Sequence, residues 1–254
     1  MSRNRARLGL SSESSSRRYQ AILFDLGYTL VYFEPPQEIV VQAALRTIGA
    51  ERSVDSIQAA VQVVWGRYYQ DAETLTFPAT EEHDREIQCQ LETAMLSELG
   101  LKSDLETWQR FSAAIDDGFG QPGAVRPYAE AKEVLEVLQR RGYRLGIVSN
   151  WSWNLRERVE QAGLNGYFEI VWGSAYAGCN KPHPCIFEQA LDQMVLPAQQ
   201  AYYVGDSYRH DVLGARAAGM DAALLDRDGT ATANDCPVIP DLRGLLPLLD
   251  RQEP

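Results

Sequence analysis

Apolar and polar positions along the chain follow two rhythms. Ala21, Ile22, Leu23 and Phe24 form a short unbroken apolar run that stops on Asp25. A run of that length predicts a strand buried on both faces. Glu34-Pro35-Pro36 then breaks the chain, and helical spacing takes over. Val40, Ala44 and Ile48 recur one helical turn apart, as do Ile57, Val61, Val64 and Tyr68, and then Ile87, Leu91 and Met95. Leu105, Trp108 and Ile115 keep nearly the same period. Gly49-Ala50, Phe77-Pro78-Ala79 and Gly100-Leu101 separate these stretches, so the pattern predicts four helices and no strand between about 35 and 120.

After Gln121-Pro122-Gly123 the rhythm changes. Apolar runs at 144–148, 168–172, 201–204 and 222–225 predict strands. Between and after them, helices are expected around Val134 and Leu138, Leu155 and Val159, Phe187 and Leu191, Val212 and Ala215, and over 242–249. Alternating strands and helices imply parallel βαβ units with right-handed crossovers. The expected fold is therefore α/β: a Rossmann-like parallel sheet flanked by helices, from 19–33 and 122–254, with an all-helical insertion at 34–121 after the first strand. Asp25, Ser149 and Asp206 all fall at strand ends. In a parallel sheet those ends share one edge, where such folds bind ligands. Turns also favour Asp and Ser, so the placement alone does not establish a site.

Composition narrows the partners. No apolar run of the 254-residue chain approaches the roughly 18 residues of a helical membrane span. A net charge of −11 argues against nucleic acid and anionic membranes, which draw on Lys and Arg. Cys89, Cys179, Cys185 and Cys236 make no disulfide framework, which points to a reducing, cytoplasmic setting. Residues 1–18 carry five arginines, six serines and one acid, Glu13, the composition of a disordered tail. They lack the recurring apolar face of a transit peptide.

Four segments in order resemble the motifs of the haloacid dehalogenase-like superfamily of hydrolases. These are Phe24-Asp25-Leu26-Gly27-Tyr28-Thr29-Leu30, then Ile147-Val148-Ser149-Asn150, then Lys181-Pro182-His183-Pro184, and last Gly205-Asp206-Ser207 with Asp211 and Gly214. The resemblance spans roughly 19–250, and the helical insertion sits where one subfamily places its substrate-selecting cap. Most members hydrolyse phosphate esters. The resemblance implies that Asp25 is the nucleophile and forms an aspartyl-phosphate. It implies Mg²⁺ held by Asp25, Asp206 and the backbone carbonyl of Gly27, with Asp211 helping directly or through water. Lys181 would hold Asp25 and the phosphoryl group, Ser149 and Asn150 would face substrate, and Thr29 would orient the nucleophile loop. The implied substrate is a small phosphorylated metabolite.

The chain departs from the pattern at one place. Phosphatases of the superfamily carry a second Asp at the position of Gly27, where it protonates the leaving alcohol. Such acid–base help is worth about 10²–10⁴-fold. Its loss implies slow turnover of alkyl phosphates, or a protein that only binds phosphoryl groups. The dehalogenases place Tyr-Gly where this chain has Gly27-Tyr28, and they lack the acid at Asp206, so dehalogenation is disfavoured. Phosphonate cleavage needs a cap lysine, and Lys102 is the only lysine between 30 and 125. Tyr28 and His210 are the candidates to supply a proton instead. Within the insertion, Arg67, Tyr68, Tyr69, His83 and Arg85 offer groups that substrate could meet. Asp226-Arg227-Asp228-Gly229-Thr230 mimics the first motif but comes after the fourth, and reads as a turn. Cys179, His183 and Cys185 lack the second pair that a structural zinc requires.

Overall fold

The computed structural model describes residues 18–70 and 74–251. The tail expected at 1–18 lies outside the described residues, apart from Arg18, whose guanidinium meets Asp221 at 2.7 Å. Strand β1 (Ala21–Phe24) forms as expected, and β2 (Val31–Phe33) follows it. Four helices come next: α1 (Gln37–Thr47), α2 (Val54–Tyr68), α3 (Glu81–Glu98) and α4 (Leu105–Gly120). Ser53, Thr80 and Asp104 accept backbone N–H bonds at the starts of α2, α3 and α4, satisfying donors a helix leaves open. The chain returns through β3 (Val125–Pro127), antiparallel to β2. That two-stranded ribbon frames the insertion, and its strands are too short for any period to register in sequence.

The remainder alternates: α5 (Ala131–Arg140), β4 (Arg144–Ser149), α6 (Leu155–Gln161), β5 (Ile170–Gly173), α7 (Ser174–Ala177), α8 (Pro184–Gln193) and β6 (Ala201–Gly205). A π-helical turn (Tyr208–Leu213) then leads into α9 (Gly214–Ala217), β7 (Asp221–Leu225), β8 (Val238–Ile239) and α10 (Leu245–Asp250). Strand β5 begins two residues later than its apolar run suggests, and the last helix starts with a 3₁₀ turn at Leu242–Gly244. The helix expected around Val212 opens as the wider π turn.

Six parallel strands lie in the order β5-β4-β1-β6-β7-β8. Strand β1 is central, and the strand order reverses there, which is where such sheets bind ligands. Its alternation splits the core. Ile22 and Phe24 pack with Leu145, Ile147 and the side chains of α5, α6 and α10, whereas Ala21 and Leu23 pack with Val148, Tyr203 and α8. Burying each large apolar side chain contributes about 1.5–3 kcal/mol. A third cluster, with Val41, Leu45, Ile57, Leu96 and Phe111, belongs to the helical block alone. Phe24 pairs with Ile147 on one side and Val204 on the other, so Asp25, Ser149 and Asp206 emerge along one edge.

Cys179 and Cys185 are joined by a disulfide, a pairing that the reading of no disulfide framework and a reducing setting does not expect. The peptide between them folds back so that residues six apart meet, which spacing does not reveal. The pair also accounts for the closeness of His183 to both sulfurs.

Candidate active site

The sheet edge brings Asp25, Ser149, Lys181 and Asp211 into one buried cluster. Asp25 Oδ1 accepts from Ser149 Oγ at 2.8 Å and from Lys181 Nζ at 2.6 Å. Its Oδ2 has no hydrogen-bond partner among the described residues. Lys181 Nζ also donates to Asp211 Oδ1 at 2.6 Å and to the Tyr203 hydroxyl at 3.1 Å. Tyr203 in turn donates to the Val148 carbonyl. Burial raises the Asp25 carboxyl above the ordinary carboxylate range; Lys181 opposes the shift and the Asp211 charge adds to it. Burial works against the Lys181 ammonium, but Asp211 and Asp25 outweigh it and hold the group well above its usual value.

Backbone geometry explains these contacts. Asn150 grips the Lys181 backbone from both sides, donating to its carbonyl at 3.0 Å and accepting from its N–H at 2.6 Å. The π turn swings Asp211 back toward β6, where its Oδ2 accepts from Ser207 N at 2.8 Å. A Cβ at Gly205 would collide with the Asp211 carboxylate, so glycine permits that approach. Both oxygens of Asp211 are therefore engaged behind Lys181. Asp206 lies at the mouth of the cleft, and Thr29 Oγ1 donates to it at 3.3 Å. Burial pushes its carboxyl up to about 7, with the charges of Asp25 and Asp211 adding.

The first-motif loop is pinned by a residue that the sequence assigns only to a turn. Arg227 donates to the carbonyls of Thr29 at 2.9 Å and Tyr28 at 3.3 Å, pairs with Glu130 at 2.7 Å and lies 3.4 Å from the Tyr128 ring centre. Its neighbour Asp226 closes the expected turn, accepting from Thr230 N and Ala231 N. Leu26 O accepts from Leu30 N and Val31 N. Gly27 O accepts from no described residue, although the carbonyls on both sides of it are engaged.

These donors fit a hard divalent cation. Three carboxylates face one ammonium; burial and the Asp211 charge raise Asp25, and burial with the charges of Asp25 and Asp211 raises Asp206. A small cation with oxygen ligands relieves that repulsion. Asp25, Asp206 and the open Gly27 carbonyl would hold it.

A cavity of about 370 Å³ lies between the helical block and this edge. Tyr68, Tyr69 and His83 line it, as does Trp151, whose place in the site the sequence does not signal. Arg67 and Arg85 instead pair with Glu98 and Glu81 on the exposed surface. A Cβ at Gly27 would lie 3.3 Å from the Trp151 ring, so that indole fills space beside the missing side chain. Tyr28 adopts a left-handed φ of 57° and is about half exposed, edge-on to Phe33. The His210 ring packs 5.1 Å from Tyr69 and its Nδ1 lies 3.3 Å from Ser207 Oγ. Lys102 is exposed between α3 and α4 and does not line the cavity.

The sequence pattern of haloacid dehalogenase-like hydrolases matches residues 22–225. The chain belongs to that family. Haloacid dehalogenase-like hydrolase domain-containing protein 3 of Mus musculus is 33% identical over 143 residues, covering 54% of this chain and 57% of its own. The chain spans about half the length of the first curated relatives it matches. A phosphoserine phosphatase from Thermus thermophilus is 28% identical over 239 residues, 87% of this chain and 94% of that one. The HAD-hydrolase YfnB of Bacillus subtilis, solved bound to magnesium, shares the fold at TM-score 0.73 and 20% identity, over 92% of this chain and 100% of that one. Solved members of similar fold include phosphatases and haloacid dehalogenases. No helix among the described residues is long and apolar enough to cross a membrane.

Proposed function

We propose that the protein is a Mg²⁺-dependent hydrolase of small phosphate monoesters, with Asp25 as nucleophile and residues 34–121 as a substrate-selecting cap. One observation carries the reading. Lys181 and Ser149 both donate to Asp25 Oδ1, which leaves Oδ2 as the reactive oxygen.

In this reading Asp25 Oδ2 attacks phosphorus, the bond to the leaving oxygen breaks, and an aspartyl-phosphate forms on Asp25. Water then attacks phosphorus, releasing phosphate and restoring the carboxylate. Mg²⁺, when bound, supplies positive charge against the phosphoryl oxygens. Lys181 fixes Asp25 and adds a buried cation next to the transferring group. The backbone near Asn150 and Gly27 donates to phosphoryl oxygens, while Ser149, its single O–H spent on Asp25 Oδ1, orients the nucleophile. Asn150 acts as a positioning residue by fixing the Lys181 backbone, Asp211 by fixing its ammonium, and Thr29 by bracing Asp206. With glycine at 27, the leaving group departs without a carboxylic acid beside it.

The test is turnover of acetyl phosphate, an aryl phosphate and sugar phosphates, with and without Mg²⁺, by wild type and Asp25→Asn. Mg²⁺-dependent turnover that Asp25→Asn abolishes is the expected result. Gly27 supports one other reading, a phosphoryl-binding regulatory module. Mg²⁺ binding without turnover of any phosphate would establish that one instead. Halide release from a haloacid without Mg²⁺ would sink both.

A further inference from the structure

The cavity beside the reaction centre combines three properties. Its wall is aromatic: Phe33, Trp65, Tyr69, Phe77, Phe119 and Trp151 all face it. Its volume of about 370 Å³ lies near the lower end of the roughly 300–1,000 Å³ of small-molecule sites, enough for one ring system. It also adjoins the nucleophile. Trp151 sits beside Gly27, and Asn150, whose side chain grips the Lys181 backbone, lines the same cavity.

The charged side chains of the wall are mostly acidic. Asp84, Glu92 and Asp116 line it, and burial raises the carboxyl of each. Asp84 accepts from Trp153 N at 3.0 Å and Glu92 from Trp108 Nε1 at 2.8 Å, both neutral donors. The guanidinium of Arg158 donates to the Phe119 carbonyl at 2.7 Å and to Gln161 at 2.8 Å. Its charge opposes the shift of Asp116, which leaves Asp84 and Glu92 as the acids without a guanidinium partner. A second anionic group on the substrate would meet repulsion here, whereas a cation above the rings would gain from both the carboxylates and the aromatic faces.

A further observation is independent of the cavity. With no acid at Gly27, the leaving oxygen must carry its own negative charge. A phenol ionises near pH 10, as tyrosine does, whereas water ionises only near 15.7, so a phenolate leaves unaided far more readily than an alkoxide.

We propose that the substrate is an aryl phosphate, the phosphate monoester of a phenol, and that the acidic wall favours a ring bearing an ammonium group over one bearing a carboxylate. The inference rests on the phosphatase reading. The P–O bond to the ring oxygen breaks with its electron pair going to the phenolate, as the bond from Asp25 Oδ2 to phosphorus forms. The phenolate takes a proton from solvent, and water then releases phosphate.

The full chain with Mg²⁺ is assayed on acetyl phosphate, glycerol 3-phosphate, phenyl phosphate, 4-(2-aminoethyl)phenyl phosphate and 4-carboxyphenyl phosphate. The expected order of kcat/KM places the aminoethyl ester at least about ten-fold above the carboxy ester. Phenyl phosphate falls between them, and all three exceed glycerol 3-phosphate. Asp84→Asn keeps the acceptor for Trp153 N–H and narrows the aminoethyl-to-carboxy ratio several-fold; Glu92→Gln repeats the measurement should the first variant misfold. Calorimetry without Mg²⁺ reads the cavity apart from chemistry, with tyramine binding more tightly than 4-hydroxybenzoate. Turnover of acetyl phosphate with aryl phosphates no better than glycerol 3-phosphate, or with the carboxy ester preferred, overturns this inference and leaves the phosphatase reading standing. No turnover on any phosphate, acetyl phosphate included, overturns both.

Discussion

At the sheet edge, one ammonium ties two carboxylates together: Lys181 lies 2.6 Å from both Asp25 and Asp211. Across the cleft, in the helical block, Asp84 and Glu92 receive neutral donors, among them Trp153 N–H and Trp108 Nε1–H. The two regions solve the burial of charge differently. The sheet edge pairs two of its acids with one ammonium and fixes them through strand register and the Asn150 grip. The block leaves Asp84 and Glu92 without a paired cation at a cavity wall, held by helix packing. Substitutions should therefore abolish function at the edge and retune it in the block. The sharpest break between them is Asp25→Asn, which should cut turnover of every phosphate by on the order of 10³-fold or more, as nucleophile removal does elsewhere. Since asparagine nearly matches the shape of aspartate, circular dichroism and urea melting should stay close to wild type. A variant retaining a tenth of the activity would show that Asp25 is not the nucleophile.

Lys181→Met probes the same edge through stability as well as rate. Methionine fills the volume but leaves Asp25 and Asp211 facing each other in a dry site. Removing one partner of a buried ion pair costs about 3–5 kcal/mol. Urea denaturation should show a loss of that order, with turnover falling about 10²–10³-fold, as for other lost electrostatic donors. Asp84→Asn, in the block, should leave the urea midpoint nearly unchanged. Equal losses from both variants would erase the contrast drawn between the two regions.

The proposed cation site gives a pH-dependent version of the contrast. The carboxyl of Asp206 is raised to about 7 by burial and its neighbours, against about 3.9 in an unfolded chain. Between those values the folded protein holds a proton that the unfolded chain has released. Stability from that proton is complete below about pH 4 and is lost as pH rises through 7. Asp25 is shifted in the same direction. Metal-free protein should thus melt lower at pH 8 than at pH 5.5, and Asp206→Asn should flatten that slope. Added Mg²⁺ should raise the melting temperature more at pH 8 than at pH 6, where it must displace protons. Apparent Mg²⁺ affinity of Asp206→Asn should drop by at least about 10–100-fold, the loss caused even by residues that only brace a metal ligand. A Mg²⁺ effect independent of pH would remove Asp206 from the site.

The core and the helical block also differ in how much the sequence discloses. Asp25, Ser149 and Asp206 are legible because unbroken apolar runs end on them, and a parallel sheet must gather such ends. The four helices are legible from their apolar period. Tyr203 is not, because an aromatic residue inside an apolar run looks like core, and its hydroxyl finds Lys181 only in three dimensions. Arg227 sits in a turn that imitates the first motif, and only the fold shows its guanidinium reaching back to the Thr29 carbonyl. Trp151 and Tyr69 carry no spacing signal, since the cavity they share forms between a helix and a loop about 80 residues apart in sequence. Local pattern determines which elements form and where strands end; it does not say which side chains from distant elements will meet.

Gly27 and Trp151 stand where the two regions join, and the smallest effect is expected there. Gly27→Asp restores the carboxyl that phosphatases of the family carry, yet its Cβ would come within 3.3 Å of the Trp151 ring. That ring stacks on Phe33 at 5.9 Å and its Nε1 donates to Asn154 at 3.0 Å, so it can yield only slightly. Full acid catalysis is worth about 10²–10⁴-fold, and a carboxyl displaced by the indole should recover only part of it, about ten-fold on glycerol 3-phosphate. Acetyl phosphate needs no acid, so its turnover should stay level or fall. Trp151→Leu alone should weaken aryl phosphate binding, and the double variant should gain more on glycerol 3-phosphate than Gly27→Asp does. If Gly27→Asp gives the full gain with Trp151 in place, the indole does not constrain the reaction centre, and edge and cavity can be altered independently. If neither variant gains, the proton already comes from another group, and leaving-group acidity should cease to order the turnover rates.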